Sequence, residues 1–209
     1  LEHCIINASE GPVYIGKDAL VMDGAILRGP VAVCEGAVVK MGATIYGATT
    51  IGPYSVAGGE VKNSILLGYS NKAHEGYLGD AVLGEWCNLG AGTSCSNLKN
   101  SAREVKVWNE HLRAWEPAGS KCGLLMGDFS RSAIHSSFNT GTVTGICCNI
   151  FGDGSLMPKF IPSFSWGTGS GIRYELERAL EDIRTWMRFK NRELGPELEN
   201  VIRKIYLAH

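Results

Sequence analysis

The chain has no excess of charge of either sign: Lys and Arg number 20 and Asp and Glu 21 among 209 residues. No strong field is therefore available to hold nucleic acid or an anionic membrane surface, and any basic residue acts locally. No apolar run approaches the roughly 20 residues a membrane helix needs, and residues 1–6 have neither the apolar length nor the cleavage site of a signal peptide. A CxxC pair is also missing, although there are seven cysteines. Several of these stand where the repeat described next places alanine or valine, so reduced core thiols and a cytoplasmic setting are expected rather than disulfides. There is no initiator methionine, and the first residues already lead into a repeat. The chain reads as a piece of a longer protein or a processed form.

Glycine, at 27 residues, is plentiful and is spread through aliphatic stretches instead of being gathered into linkers. That distribution points to a repeated backbone turn. From Ile15 the sequence divides every six residues into IGKDAL, VMDGAI, LRGPVA, VCEGAV, VKMGAT, IYGATT, IGPYSV and AGGEVK. The first position is aliphatic seven times and Ala57 in the eighth, and the fifth is always small or β-branched. Neither a 3.6-residue helix period nor strand alternation gives this spacing, whereas a triangular solenoid with one short strand and one turn per hexad does. The register breaks after Lys62, returns at Leu83 and Leu89, and resumes from Met126, giving fifteen recognisable hexads, or about five coils at three per coil.

Two other patterns stand apart from the repeat. Residues 104–123 contain VKVWN and LRAWEP, which read as a β-hairpin excursion whose tryptophans are placed to grip a neighbour. Beyond an aromatic connecting loop, FIPSFSWG, an apolar stripe from Tyr174 to Met187 and a second stretch after Gly195-Pro196 predict two helices that pack on the coil end or on a neighbouring subunit. The expected organisation is a β-helix over 1–167, with its excursion at about 98–125, and a helical appendage over 168–209.

The richest break in the repeat is residues 72–98, KAHEGYLGDAVLGEWCNLGAGTSCSNL. It resembles the acetyltransferase half of the bifunctional glucosamine-1-phosphate acetyltransferase / N-acetylglucosamine-1-phosphate uridylyltransferase family, whose pattern there is approximately KAGHLTYLGDAxIGxxVNIGAGTxxxN. Aligned from YLGDA, His74 falls on the family's catalytic histidine, Tyr77 on its sugar-phosphate tyrosine, and Asn88 and Asn97 on the asparagines before and after IGAGT. EVKNS places Lys62 on a lysine implicated in sugar-phosphate binding. NLKNSAREVKV resembles the archaeal nucleotidyltransferase/acetyltransferase branch and places Arg103, where that branch has lysine, and Lys106 on its two basic positions. A Bacteroidetes group of sugar nucleotidyltransferases also shares GYSNKAH, GEWCNLGAGT and PSFSWG, and this likeness covers most of residues 8–167. An upstream nucleotidyltransferase domain accompanies the repeat in such proteins, and its GxGTRM-type signature is absent from these residues.

The resemblance implies a left-handed sense of winding, against the usual right-handed crossover. It also implies a homotrimer with sites between subunits, and acetyl-CoA as co-substrate for N-acylation of an amino-sugar 1-phosphate on the route to UDP-N-acetylglucosamine. His74 would be general base on the amine, since imidazole suits proton transfer near neutral pH. Asn97 would orient amine and thioester oxygen, Asn88 the sugar, and Lys62, Tyr77, Arg103 and Lys106 the phosphate. The pantetheine arm would meet backbone amides at Gly90, Ala91 and Gly92. Two departures stand out: the KAG-H spacing is one residue shorter here, and the family's phosphate-gripping arginine has no counterpart beyond Arg28 in LRGP, which lies about a coil too far away. The alternatives are a non-catalytic trimerisation or regulatory module and a zinc enzyme. The latter would need three converging histidines, for which only His74, His111 and His135 are candidates.

Overall fold

The structure is a computed structural model and describes residues 2–152, 154, 156–168 and 171–208. The hexads form short strands stacked coil upon coil into three flat parallel sheets, winding through about nine turns. The first face holds Ile5–Asn7, Ile26–Arg28, Thr44–Tyr46, Glu60–Lys62 and Tyr77–Gly79, and Ser94–Cys95 and Ser137–Phe138 pair beyond them. The second face has eight strands, from Val13–Ile15 to Phe160–Ile161, and the third has seven, from Leu20–Val21 to Asn149–Ile150. First-position residues Val21 to Ala57 and fifth-position residues Ala25 to Val61 all point inward and are buried. A fully buried aliphatic side chain contributes about 1.5–3 kcal/mol, so stacked interior columns stabilise a fold whose strands are individually trivial.

Coils also continue where the hexad register fails, so there are more of them than the five expected. The register is lost because corners shorten: Ala57 to Val61 takes four steps along the chain where Val39 to Ile45, the equivalent corner one coil earlier, takes six. The tight corner is made by Gly58 and Gly59, the latter at φ +65°. A Cβ on Gly58 would lie 2.3 Å from the Ala73 carbonyl oxygen of the next coil.

The excursion is an antiparallel hairpin, Lys106–Asn109 with Ala114–Pro117. Its tryptophans serve its own chain: Trp108 packs on Trp115 and on Phe160 of the last coil, with ring centroids 5.4 and 5.3 Å apart. FIPSFSWG is no mere connector, since Phe160–Ile161 adds the final strand of the second face. Helices α1 (Leu176–Phe189) and α2 (Pro196–Ala208) follow, α1 capped by the Glu175 carboxylate, which accepts from the Glu177 and Arg178 amides. They do not cap the coil end. The buried α1 residues Leu180, Ile183 and Met187 instead cover an apolar seam along the side of the coils, built by Trp86, Phe129, Cys147 and Phe164. Among the described residues no helix is long and apolar enough to cross a membrane.

Candidate functional site

Strand alternation puts Tyr77 and Gly79 on the outer side of the first face. Because Gly79 has no side chain, the Tyr77 ring lies flat over it: a Cβ there would stand 2.1 Å from the phenol oxygen. Tyr77 Oη then accepts from Asn97 Nδ2 at 3.0 Å. The same Nδ2 donates to an Asp80 carboxylate oxygen, whose other oxygen accepts from Asn63 Nδ2 at 2.6 Å. Lys62, one coil earlier and aligned with Gly79, holds its ammonium 5.5 Å from the Tyr46 ring centroid. Tyr46 in turn donates to Glu60 at 2.6 Å.

The excursion closes onto this cluster. The Cys122 amide donates to the Asn97 carbonyl at 3.0 Å and the Gly123 amide to the Asp80 carbonyl at 2.7 Å. The hairpin thereby fixes the two residues that hold Tyr77.

Burial, then the Asp80 and Glu60 carboxylates, push the Tyr77 phenol above its ordinary value, and the hydrogen bond to Glu60 pushes Tyr46 up to about 12. Both phenols stay protonated at neutral pH. Tyr77 accepts from Asn97 and keeps its own hydroxyl hydrogen for a ligand. Asn97 has committed both amide hydrogens, so what it offers is its side-chain oxygen, an acceptor. It can receive an amine N–H but cannot donate to a thioester oxygen, which corrects half of the role expected for it.

His74 lies on the corner leading into this face. Its side chain is exposed and makes no hydrogen bond or ion pair among the described residues. Gly90–Gly92 form the same corner one coil on, but their amides are engaged: Gly90 donates to the Ser132 carbonyl at 3.1 Å and Gly92 to the Glu75 carbonyl at 3.1 Å. Coil-to-coil bonding thus takes two of the three donors of the expected amide cradle, and the His135 ring fills the space over Gly92.

Asn88 is not with the others. It projects from the third face, where its Oδ1 accepts from Asn71 Nδ2 at 3.4 Å, and Asn71 in turn accepts from Lys190 of the segment after α1 at 3.0 Å. Arg103 and Lys106 are exposed at the base of the hairpin, and their side chains make no contact with the Tyr77–Asn97 cluster among the described residues. Arg28 aligns with Tyr46 on the outer row, three coils before Gly79, and is paired with Glu10. Where an arginine would precede Lys62 on this row, the chain has Tyr46. Asp80, Asn63, Glu60 and Tyr46 escaped the sequence reading, although Asp80 belongs to the YLGDA run that served as its anchor. Among the described residues no three His, Cys, Asp or Glu side chains are placed to hold a metal ion.

Fold and site together define a three-sided parallel β-helix built on hexapeptide repeats, with a polar cluster on one face beside a histidine-bearing corner. Over part of its length the chain is similar in sequence to GlmU proteins. It is 36% identical over 89 residues to the bifunctional protein GlmU of Methanocaldococcus jannaschii, covering 43% of this chain and 21% of that protein. To the bifunctional sugar-1-phosphate nucleotidylyltransferase/acetyltransferase of Sulfurisphaera tokodaii it is 34% identical over 92 residues, 44% of this chain and 23% of that one. The chain thus spans about a fifth of the length of these curated relatives. Among solved structures, a UDP-N-acetylglucosamine acyltransferase from Campylobacter jejuni superposes with a TM-score of 0.46 at 15% identity, over 78% of this chain and 69% of that one. No family model matches.

Proposed function

We propose that the chain is an acetyl-CoA-dependent N-acyltransferase domain acting on an amino-sugar 1-phosphate, working as a homotrimer within a sugar-nucleotide biosynthetic enzyme. The observation that carries this reading is the Asp80–Asn97–Tyr77 cluster, which presents one acceptor and one donor beside Lys62 on the face that His74 borders. The amine nitrogen attacks the thioester carbonyl carbon, and the C–N bond forms as His74 takes the proton. The C–S bond then breaks, and His74 returns the proton to the leaving thiolate, so amine and thioester become amide and thiol. Asn97 Oδ1 accepts the second amine hydrogen. Tyr77 Oη–H and Lys62 hold the phosphate, with Arg103 and Lys106 available from the hairpin base. The pantetheine arm follows the corner at Gly90–Gly92, alongside amides already engaged. Asn88 holds the third face through Asn71 in place of the sugar contact first expected.

The competing reading, a non-catalytic trimerisation or regulatory module, is favoured by Arg28, which is paired with Glu10 and stands away from the Tyr77–Asn97 cluster. The experiment is free-thiol release from acetyl-CoA with a panel of amino-sugar 1-phosphates, comparing wild type with His74→Ala. Release that needs both acceptor and His74 is expected. Release with no acceptor of the panel, or unchanged release in His74→Ala, overturns the assignment.

A further inference from the structure

The interior column of the third face runs through Val39, Ala57, Lys72, Leu89, Ser132 and Ile150, and its one charged member is Lys72. With 1% of its surface exposed, Lys72 is among the largest fully buried side chains of the described residues. A lysine in an aliphatic column is expensive to desolvate, and nothing in the hexapeptide pattern asks for one. The reason lies in the tight Gly58-Gly59 corner described above. By cutting two steps from the turn it leaves the Gly58 carbonyl with no backbone donor among the described residues, and the His74 carbonyl of the next coil is in the same condition. Lys72 Nζ donates to both, to Gly58 O at 3.1 Å and to His74 O at 2.5 Å, while the Lys72 carbonyl accepts the Gly58 amide at 2.6 Å. Ala57, the one small residue among the first positions of the eight hexads, leaves room for the lysine chain.

We propose that Lys72 is a positioning residue for His74: from inside the coil its ammonium clamps the carbonyls of two successive corners and so fixes the backbone from which the imidazole projects. The His74 side chain adds no anchor of its own, being exposed and without a hydrogen bond among the described residues, and the next anchor along the corner is the Glu75 carbonyl, which accepts from the Gly92 amide. It also joins two otherwise separate observations, a shortened corner and a buried cation, at the corner of the molecule where a proton acceptor is needed. The inference rests on the acyltransferase reading for its chemical purpose, but the clamp itself can be tested without it.

The test compares wild type with Lys72→Met, which keeps the length of the chain and removes every donor. Two readouts are taken: steady-state acyl transfer, and the ring-proton NMR resonances of His74 and His135, assigned by His→Gln substitution at each. His135 lies on the same corner two coils on and serves as an internal control for general loosening. The expected result is a folded variant with kcat lowered at least tenfold, KM for both substrates within about twofold, and His74 resonances shifted or broadened while those of His135 stay in place. His74 resonances that do not change overturn the proposal whatever the activity does, and so does an equal disturbance of both histidines. If wild type shows no acyl transfer, the functional reading fails, and the NMR comparison still decides the clamp. If Lys72→Met does not fold, Lys72→Gln, which retains a shorter donor, is judged by the same resonances.

Discussion

Gly79→Ala places one methyl group where it tests the site while sparing the fold. Gly79 is buried in a regular strand with no left-handed backbone requirement, so alanine fits its conformation. The added Cβ would stand 2.1 Å from Tyr77 Oη and 2.5 Å from Cζ, whereas ordinary contact begins at 3.4 Å, so the phenol must retreat by about 1.3 Å. These atoms are the free end of a side chain, and the retreat breaks the 3.0 Å bond from Asn97 without moving backbone. Losing one such bond costs about 1 kcal/mol, and Gly→Ala returns about 0.4–1 kcal/mol by restricting the unfolded chain, so stability should change by less than about 1 kcal/mol. A displacement of this size at a group that positions substrate should lower kcat/KM about 100-fold. The assay is thiol release at saturating acetyl-CoA, together with urea unfolding. A double-mutant cycle with Tyr77→Ala completes it: without the phenol the methyl displaces nothing, and Gly79→Ala should have little further effect. Retained activity in Gly79→Ala, or the same further loss in the Tyr77→Ala background, would refute the assignment of Tyr77 to the site.

Two further outcomes follow from the interior. Burial lowers the Lys72 pKa from 10.5 to about 8, so below pH 8 the folded chain carries the full cost of a buried charge. Between about pH 8 and 10.5 the unfolded state binds the extra proton and stability should rise with pH, by about 2–3 kcal/mol at 1.36 kcal/mol per unit. Urea midpoints at pH 8 and 10 should show this rise as a difference between wild type and Lys72→Met, and its absence would refute the burial argument. Burial also raises the thiols, Cys87 and Cys95 to about 12 and Cys147 and Cys148 in the same direction. Iodoacetamide at pH 8 should therefore label the native protein only at Cys4, Cys34 and Cys122, and all seven cysteines in urea. Rapid native labelling of Cys147 would contradict the packing beneath α1.

The solenoid was legible because every coil repeats the same burial requirement, and a six-residue period in aliphatic and small residues has few other physical solutions. Both helices and the hairpin were legible for a similar reason: their apolar spacing and turn residues are local. Lys62, Tyr77 and Asn97 were singled out through a motif and stand on or beside one face, since residues a coil apart become neighbours there. Asn88 shared the motif yet faces elsewhere, because strand and corner positions send neighbouring residues to different walls of the prism. The amides of Gly90 and Gly92 looked accessible by composition, but a stacked coil consumes its own donors.

By itself, then, the sequence determined the parallel β-helix and its inward columns, because those follow from periodicity and local propensity. Only the tertiary structure decided which polar groups meet. The contacts of Asp80 with Asn97 and Asn63, of Lys72 with the Gly58 and His74 carbonyls, and of α1 with the aromatic seam join residues 2 to about 100 positions apart. They depend on how many residues each corner keeps and on which side chain is absent at Gly58 and Gly79. A shortened turn shifts register by a residue or two, and that shift sets which groups stand within 3 Å of each other.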